Sequence, residues 1–169
     1  MKQPNHLVWL FAALLLLSSC TTTIYLVRHA ERADNTDNSL LSDMGHARAA
    51  ILRDTLVGKE IKQIFTSTYI RTQQTADPLA SALGIDLNPG RYNNDTISGF
   101  VTRLKRIRNQ KVLVVGHSHT LPGLIDLLCG ERVTVDGNDF DNLFIVTFRH
   151  SLGKTRKSLV RTTYGPPSP

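Results

Sequence analysis

From Ile24 to Leu128 the chain repeats one alternation, a short β-branched or aliphatic run followed by a longer stretch with apolar residues at helical spacing. Ile24-Tyr25-Leu26-Val27, Ile61 to Thr66, Ile85 to Leu87 and Lys111 to Val115 read as strands, the last most clearly. Between them, Ser42 to Val57, Tyr69 to Leu83, Thr96 to Arg108 and Leu121 to Leu128 read as helices, with Ser42 as an N-cap and Gly58 and Gly84 as stops. Asn88-Pro89-Gly90 is expected to turn the chain, Leu143 to Phe148 to form a strand and Ser158 to Tyr164 an edge strand. Strands alternating with helices build a mostly parallel sheet covered on both faces, so the expected fold is a three-layer α/β/α sandwich. At 169 residues one domain is expected. It is assigned to residues 24–164, with 165–169 as a tail.

Residues 1–19 stand apart. Lys2 precedes an almost unbroken apolar run, Leu7 to Leu17. That run is shorter than the roughly 20 residues of a membrane span and has the form of a secretory signal ending in small residues. Leu17-Ser18-Ser19-Cys20 resembles the lipobox of bacterial lipoproteins. The resemblance implies cleavage after residue 19, a diacylglycerol on Cys20, a short tether through residue 23 and anchoring in the bacterial cell envelope. Thr21 is not the aspartate that resembles an inner-membrane retention signal, which favours the periplasmic face of the outer membrane in a Gram-negative cell. With Cys20 lipidated, Cys129 has no disulfide partner. The formal net charge is +6, concentrated in Lys105–Arg108 and Lys154–Arg161. These runs lack the interleaved aromatics of a nucleic-acid binder. They suit an anionic substrate or anionic lipid headgroups.

The reactive residues fall at the carboxyl ends of the expected strands, where α/β sheets bind ligands. Arg28-His29 follows the first strand directly, and His117 follows the strand Lys111 to Val115 with only Gly116 between. Ser67 follows Ile61 to Thr66, and Arg71 lies one turn into the next helix. Two arginines and two histidines at one rim suit a phosphoryl group. A guanidinium matches phosphate oxygens bidentately and keeps its charge, and a neutral imidazole can attack phosphorus to give a phosphohistidine.

Four ordered blocks carry a resemblance. Leu26-Val27-Arg28-His29-Ala30-Glu31 resembles the Arg-His-Gly/Ala signature of the histidine phosphatase superfamily, also called phosphoglycerate-mutase-like. Leu41-Ser42 with Gly45 and Ala49, Ser67 with Arg71, Gln74, Thr75 and Ala76, and Val114-Val115-Gly116-His117-Ser118 resemble its further motifs in order and spacing. The resemblance implies His29 as nucleophile, with Arg28, Arg71 and His117 completing a phosphate pocket, and no cofactor or metal. It also implies a small phosphorylated substrate, a phosphomonoester or phosphoramidate. The short segment between Ser67 and His117 leaves little room for a lid, so the site is expected to be open. Asn35 stands seven residues after Arg28, where related mutases hold a phosphate-binding asparagine. His119 is a candidate at the pocket mouth. For the general acid that protonates the leaving group, Asp95 is the first candidate and Glu31 the second. Asp95 could equally cap the helix beginning near Thr96, and Glu31 could orient an arginine.

Three other readings fit parts of the pattern. A phosphate-binding lipoprotein could use the same fold without catalysis. An esterase could use Ser118 in Gly116-His117-Ser118-His119-Thr120, with Asp126, Asp136, Asp139 or Asp141 and His150 as partners, although Thr120 stands where such a turn wants glycine. A zinc hydrolase could use His29, His117 and His119.

Overall fold

The computed structural model describes residues 20–90, 96–151 and 153–168. The expected signal segment, 1–19, and Asp95 lie outside the described residues. In chain order the elements are β1 (Cys20–Arg28), α1 (Asp43–Leu56) followed by a 3-10 turn (Val57–Lys59), β2 (Ile61–Ser67), α2 (Ile70–Leu83), β3 (Leu87–Gly90), α3 (Ile97–Arg106), β4 (Lys111–Gly116), α4 (Leu121–Cys129), β5 (Asn142–Ser151) and β6 (Lys154–Thr163). The six strands form one sheet in the order β3-β2-β4-β1-β5-β6. β3, β2, β4 and β1 run parallel, and β5 and β6 are added antiparallel at one side. The expected α/β sandwich with a mostly parallel sheet is therefore the fold.

The central strands explain their own composition. On one face Ile24, Leu26, Val112 and Val114 pack beneath Phe100, Leu104, Leu121 and Leu124 of α3 and α4. On the other, Tyr25, Val27, Leu113 and Val115 pack against Leu52 and Leu56 of α1 and Leu79 of α2. A strand buried on both faces needs apolar side chains at successive positions, which is why β1 and β4 read as unbroken apolar runs.

Several boundaries differ from the sequence reading; the last two strands run longer than expected, at Asn142–Ser151 and Lys154–Thr163. β1 begins at Cys20, because the stretch expected as a tether pairs with β5 through Cys20↔His150, Thr21↔Arg149, Thr22↔Phe148 and Thr23↔Thr147. The three residues expected to turn the chain lie within β3, whose Pro89 is tolerated because this strand is the sheet edge. Pro166 and Ser168, within the stretch 165–169, are bonded to the rest of the domain. Ser168 Oγ accepts the N–H groups of Phe140 (2.7 Å) and Asp141 (3.2 Å), and the Pro166 carbonyl accepts from Arg48 Nη1 at 3.0 Å. These partners are main-chain groups, one hydroxyl and one guanidinium distant in sequence, which leave no periodic signal.

The start of α1 is docked onto the segment that leaves β1. Ser42 caps the helix by accepting the Gly45 N–H at 3.1 Å, and its own N–H donates to the Glu31 carbonyl at 3.0 Å. A Cβ on Gly45 would fall inside the van der Waals shell of that same carbonyl oxygen. Alanine at an exposed helix position is worth about 1 kcal/mol over glycine, but a backbone clash of this kind costs roughly 1–3 kcal/mol. Gly45→Ala should therefore destabilise the protein, read as a lower denaturant midpoint. An unchanged or raised midpoint would show that the close approach of α1 to Glu31 is not needed.

Candidate active site

β1 and β4 are parallel neighbours with Arg28 opposite Gly116. One residue further on, the His29 N–H donates to the Gly116 carbonyl at 3.0 Å. The residues that leave the two strands thus emerge side by side, and the His29 and His117 rings lie with centroids 5.3 Å apart. A side chain at Gly116 would be tight, since a Cβ would come within 3.2 Å of Leu121 Cδ2 and 3.3 Å of Thr120 Oγ1. Thr120 Oγ1 accepts the His117 N–H at 3.1 Å and shapes the turn into α4.

Each ring has a defined partner. His29 Nδ1 lies 2.8 Å from the Ala30 carbonyl, which can only accept, so Nδ1 carries the proton and Nε2 keeps its lone pair. His117 Nε2 lies 2.9 Å from Ser67 Oγ, which also contacts Thr72 Oγ1 at 2.9 Å. Thr72 Oγ1 donates in turn to the Tyr69 carbonyl at 2.8 Å. With Ser67 donating to Nε2, the neutral ring presents Nδ1–H as a donor.

The two arginines reach the same rim from different elements. Arg28 Nη1 donates to the carbonyl oxygens of Asp136 (3.1 Å), Gly137 and Asp139 (3.3 Å), and its Cζ sits 4.0 Å over the Phe140 ring. Arg71 Nη1 donates to the Asp37 carbonyl, and its Cζ sits 4.3 Å over Tyr69. Arg28, His29, Arg71 and His117 are 4–6% exposed. Among the described residues, Nε of Arg28, Nε of Arg71 and Nδ1 of His117 are buried without a hydrogen-bond partner. A buried donor left unpaired costs about 1–3 kcal/mol, and three such donors on the residues of this rim suit an oxyanion.

Burial also sets the protonation states. It pushes His29 down to about 3; the Ala30 bond opposes this, while the Arg28, Arg71 and Arg32 charges add to it. Burial likewise pushes His117 down to about 3, with His29 and Arg71 contributing. Arg28 is lowered to about 10, chiefly by burial, and stays charged at neutral pH. The site is therefore cationic through its arginines while both imidazoles stay neutral.

The structure brings the four principal residues of the sequence reading together and places the others as follows. Glu31 is turned to Arg48, whose Nε and Nη2 lie 2.8 and 2.7 Å from Glu31 Oε1. The candidate acid thus has an arginine to hold, the alternative role it was given. Asp95 has no described position. Asn35 lies in the exposed loop after β1, where its Oδ1 accepts from Arg32 Nη2 at 3.0 Å. His119 is exposed and stacks on His117, centroids 5.3 Å apart and planes 15° from parallel. Among the described residues no cluster of three His, Cys, Asp or Glu could hold a metal. Phe140, Tyr69 and Thr72 were not foreseen, because their roles depend on contacts across the fold rather than on any spacing. The motif residues lace the blocks together. Thr75 Oγ1 accepts the Ala30 N–H at 2.9 Å, and Gln74 Oε1 accepts the Leu41 N–H at 2.9 Å.

Both histidines are neutral in the fold, whereas in the unfolded chain they protonate below the ordinary value of 6.5. The unfolded state then binds more protons, so stability falls as pH drops from about 6.5 toward 3. The loss of stability between pH 7 and pH 4.5 should be smaller in His29→Gln than in the wild type, measured by denaturant midpoints. Equal losses would mean that His29 is not held neutral by burial.

Residues 24–90 match the family model of the histidine phosphatase superfamily (branch 1). The lipopolysaccharide core heptose(II)-phosphate phosphatases of Salmonella typhimurium and Salmonella enteritidis are 27% identical over 118 residues, covering 64% of this chain and 59% of theirs. The chain thus spans less than two thirds of the length of these relatives. Among solved structures, the protein histidine phosphatase SixA in complex with tungstate superposes with a TM-score of 0.63 at 17% identity, covering 83% of this chain and 96% of that one. A mycobacterial glucosyl-3-phosphoglycerate phosphatase with VO3 gives 0.62 at 11% identity, covering 81% and 96%. These structures share the fold, and the stretch that matches the family model carries Arg28, His29 and Arg71.

Proposed function

We propose that the chain is a phosphatase that hydrolyses a small phosphomonoester through a phosphohistidine on His29, without a metal. The observation that carries this is the His29 ring, whose proton is held on Nδ1 by the Ala30 carbonyl and whose Nε2 lone pair is free among unpaired Arg28, Arg71 and His117 donors. The relatives named for a heptose phosphate and the neighbours solved with tungstate and VO3 support a phosphoryl substrate.

In the first step the Nε2 lone pair forms the N–P bond as the P–O bond to the leaving group breaks. Arg28, Arg71 and His117 hold the phosphoryl oxygens, and fixed donors of this kind supply most of the stabilisation in phosphoryl transfer. The departing oxygen takes a proton from solvent. In the second step water forms the new P–O bond and returns a proton to solvent, the P–N bond breaks, and the electron pair returns to Nε2. The positive ring formed between the steps is stabilised by Nδ1–H on the Ala30 carbonyl.

A phosphoramidate substrate is the second reading. Its support is the Glu31 carboxylate, which is committed to Arg48 and so is not free to protonate an alkoxide. A neighbour named as a protein histidine phosphatase fits the same reading. An esterase built on Ser118 meets a geometric obstacle. His150 pairs with Cys20 at the amino end of β1, whereas Ser118 follows the carboxyl end of β4. We further propose that residues 1–19 are removed, that Cys20 carries the lipid anchor, and that the enzyme works at the periplasmic face of the outer membrane.

Turnover of a chromogenic phosphate ester should persist in chelator and fall at least about a thousandfold in His29→Ala, while Ser118→Ala stays near wild type. Loss in Ser118→Ala with survival in His29→Ala would overturn the reading. Tight phosphate binding through Arg28 and Arg71 without turnover of esters or phosphoramidates would make the chain a binding protein instead.

A further inference from the structure

We propose that the amino-terminal pole of the sheet is a docking face for anionic lipid headgroups, and that it holds the His29 site turned away from the bilayer. Strand pairing builds this face. Thr21, Arg149 and Arg156 lie in one row across β1, β5 and β6, and Thr23, Thr147 and Ser158 form the next. Arg149 and Arg156 are exposed and directly opposite each other, a like-charge pair that destabilises a sheet unless an anion lies over it. The ion pairs among the described residues join Arg48 to Glu31, Arg53 to Asp54 and Lys111 to Glu60, so neither arginine has an acidic partner there.

Two shallow depressions lie at this pole, one on either side of β1. Arg149, Arg156 and Lys157 line one, and Lys62 lines the other together with Thr21, Thr23 and the ion pair of Lys111 with Glu60. α3 delivers Lys105 and Arg106 in its last turn, which ends just before β4 starts at the same pole. The result is a broad basic surface crossing several strands, which matches a plane of headgroup phosphates better than a single small anion.

Its position names the occupant. Cys20 is at this pole, and the residues before it contain the apolar run Leu7 to Leu17. Either that run or an acyl group on Cys20 brings the pole to a membrane. His29 stands at the far end of β1, nine residues on, or on the order of 30 Å away at the rise of an extended strand. The site therefore opens toward the aqueous side. Its substrate diffuses or projects from solution and does not lie in the plane of the anchoring bilayer.

The test places the full chain on vesicles of phosphatidylcholine alone or mixed with phosphatidylglycerol and follows amide hydrogen exchange. Exchange in β6 should slow severalfold only on the anionic vesicles and recover in high salt. R149Q/R156Q/K157Q should abolish that protection, each lost cation weakening the contact roughly fivefold, with ester turnover unchanged. Equal exchange in β6 on both vesicles would overturn the proposal. So would protection at the Tyr69 and His119 pole, or the same protection by inorganic phosphate on neutral vesicles. None of these readouts depends on whether the site hydrolyses esters, and the mass of the chain reports the lipid on Cys20 separately.

Discussion

Arg28 sits opposite Gly116 in the parallel pairing of β1 with β4, and the geometry of the site follows from that register. It brings the His29 N–H onto the Gly116 carbonyl and sets the His29 and His117 rings edge to face. A slip of one residue would exchange the two faces of β1. Ile24 and Leu26 would leave one core cluster, Tyr25 and Val27 the other, and the nucleophile would no longer face its partner. The apolar packing on both faces of the central strands thus enforces the positions of the reactive residues.

Holding two guanidinium groups and two imidazoles in a buried rim requires support from elsewhere in the chain. Arg28 is held by carbonyls of the Asp136 to Asp139 turn, and that stretch continues into Phe140 and Asp141, whose N–H groups are bound by Ser168. Glu31 follows the nucleophile by two residues and is tied to Arg48, which also reaches the carbonyls of Tyr164 and Pro166. The carboxyl-terminal segment therefore braces the site from two directions. Breaking a buried pair such as Glu31–Arg48 from one side would leave an uncompensated charge, typically a loss of 3–5 kcal/mol.

Much of this was legible in the sequence because the dominant forces leave periodic marks. Burial of β1 and β4 on both faces wrote the apolar runs, and the amphipathic helices wrote the 3.6-residue pattern, so layers and sheet type could be read directly. Arg28, His29, Arg71 and His117 stand out because they cluster near the carboxyl ends of expected strands and fall in ordered blocks that resemble the motifs of the histidine phosphatase superfamily. What sequence did not disclose are contacts made by the main chain or by residues distant along it. The carbonyls that hold Arg28 and Arg71, the Phe140 ring over Arg28 and the Ser168 hydroxyl belong to this class. Cys20 to Thr23 carried too little apolar signal to be read as strand, although pairing with Phe148 and Arg149 places them in β1. Glu31 illustrates a different gap. Its proximity in sequence to His29 made it a candidate acid, and only the fold shows that Arg48 holds it.

The central claim, a covalent phosphoryl group on His29, is most directly tested by quenching the wild-type protein during turnover of a phosphate ester and mapping the adduct. The account predicts phosphate on His29 that is lost in acid and kept in base. Turnover with no phosphoryl group on His29, or an adduct on Ser118, would contradict it.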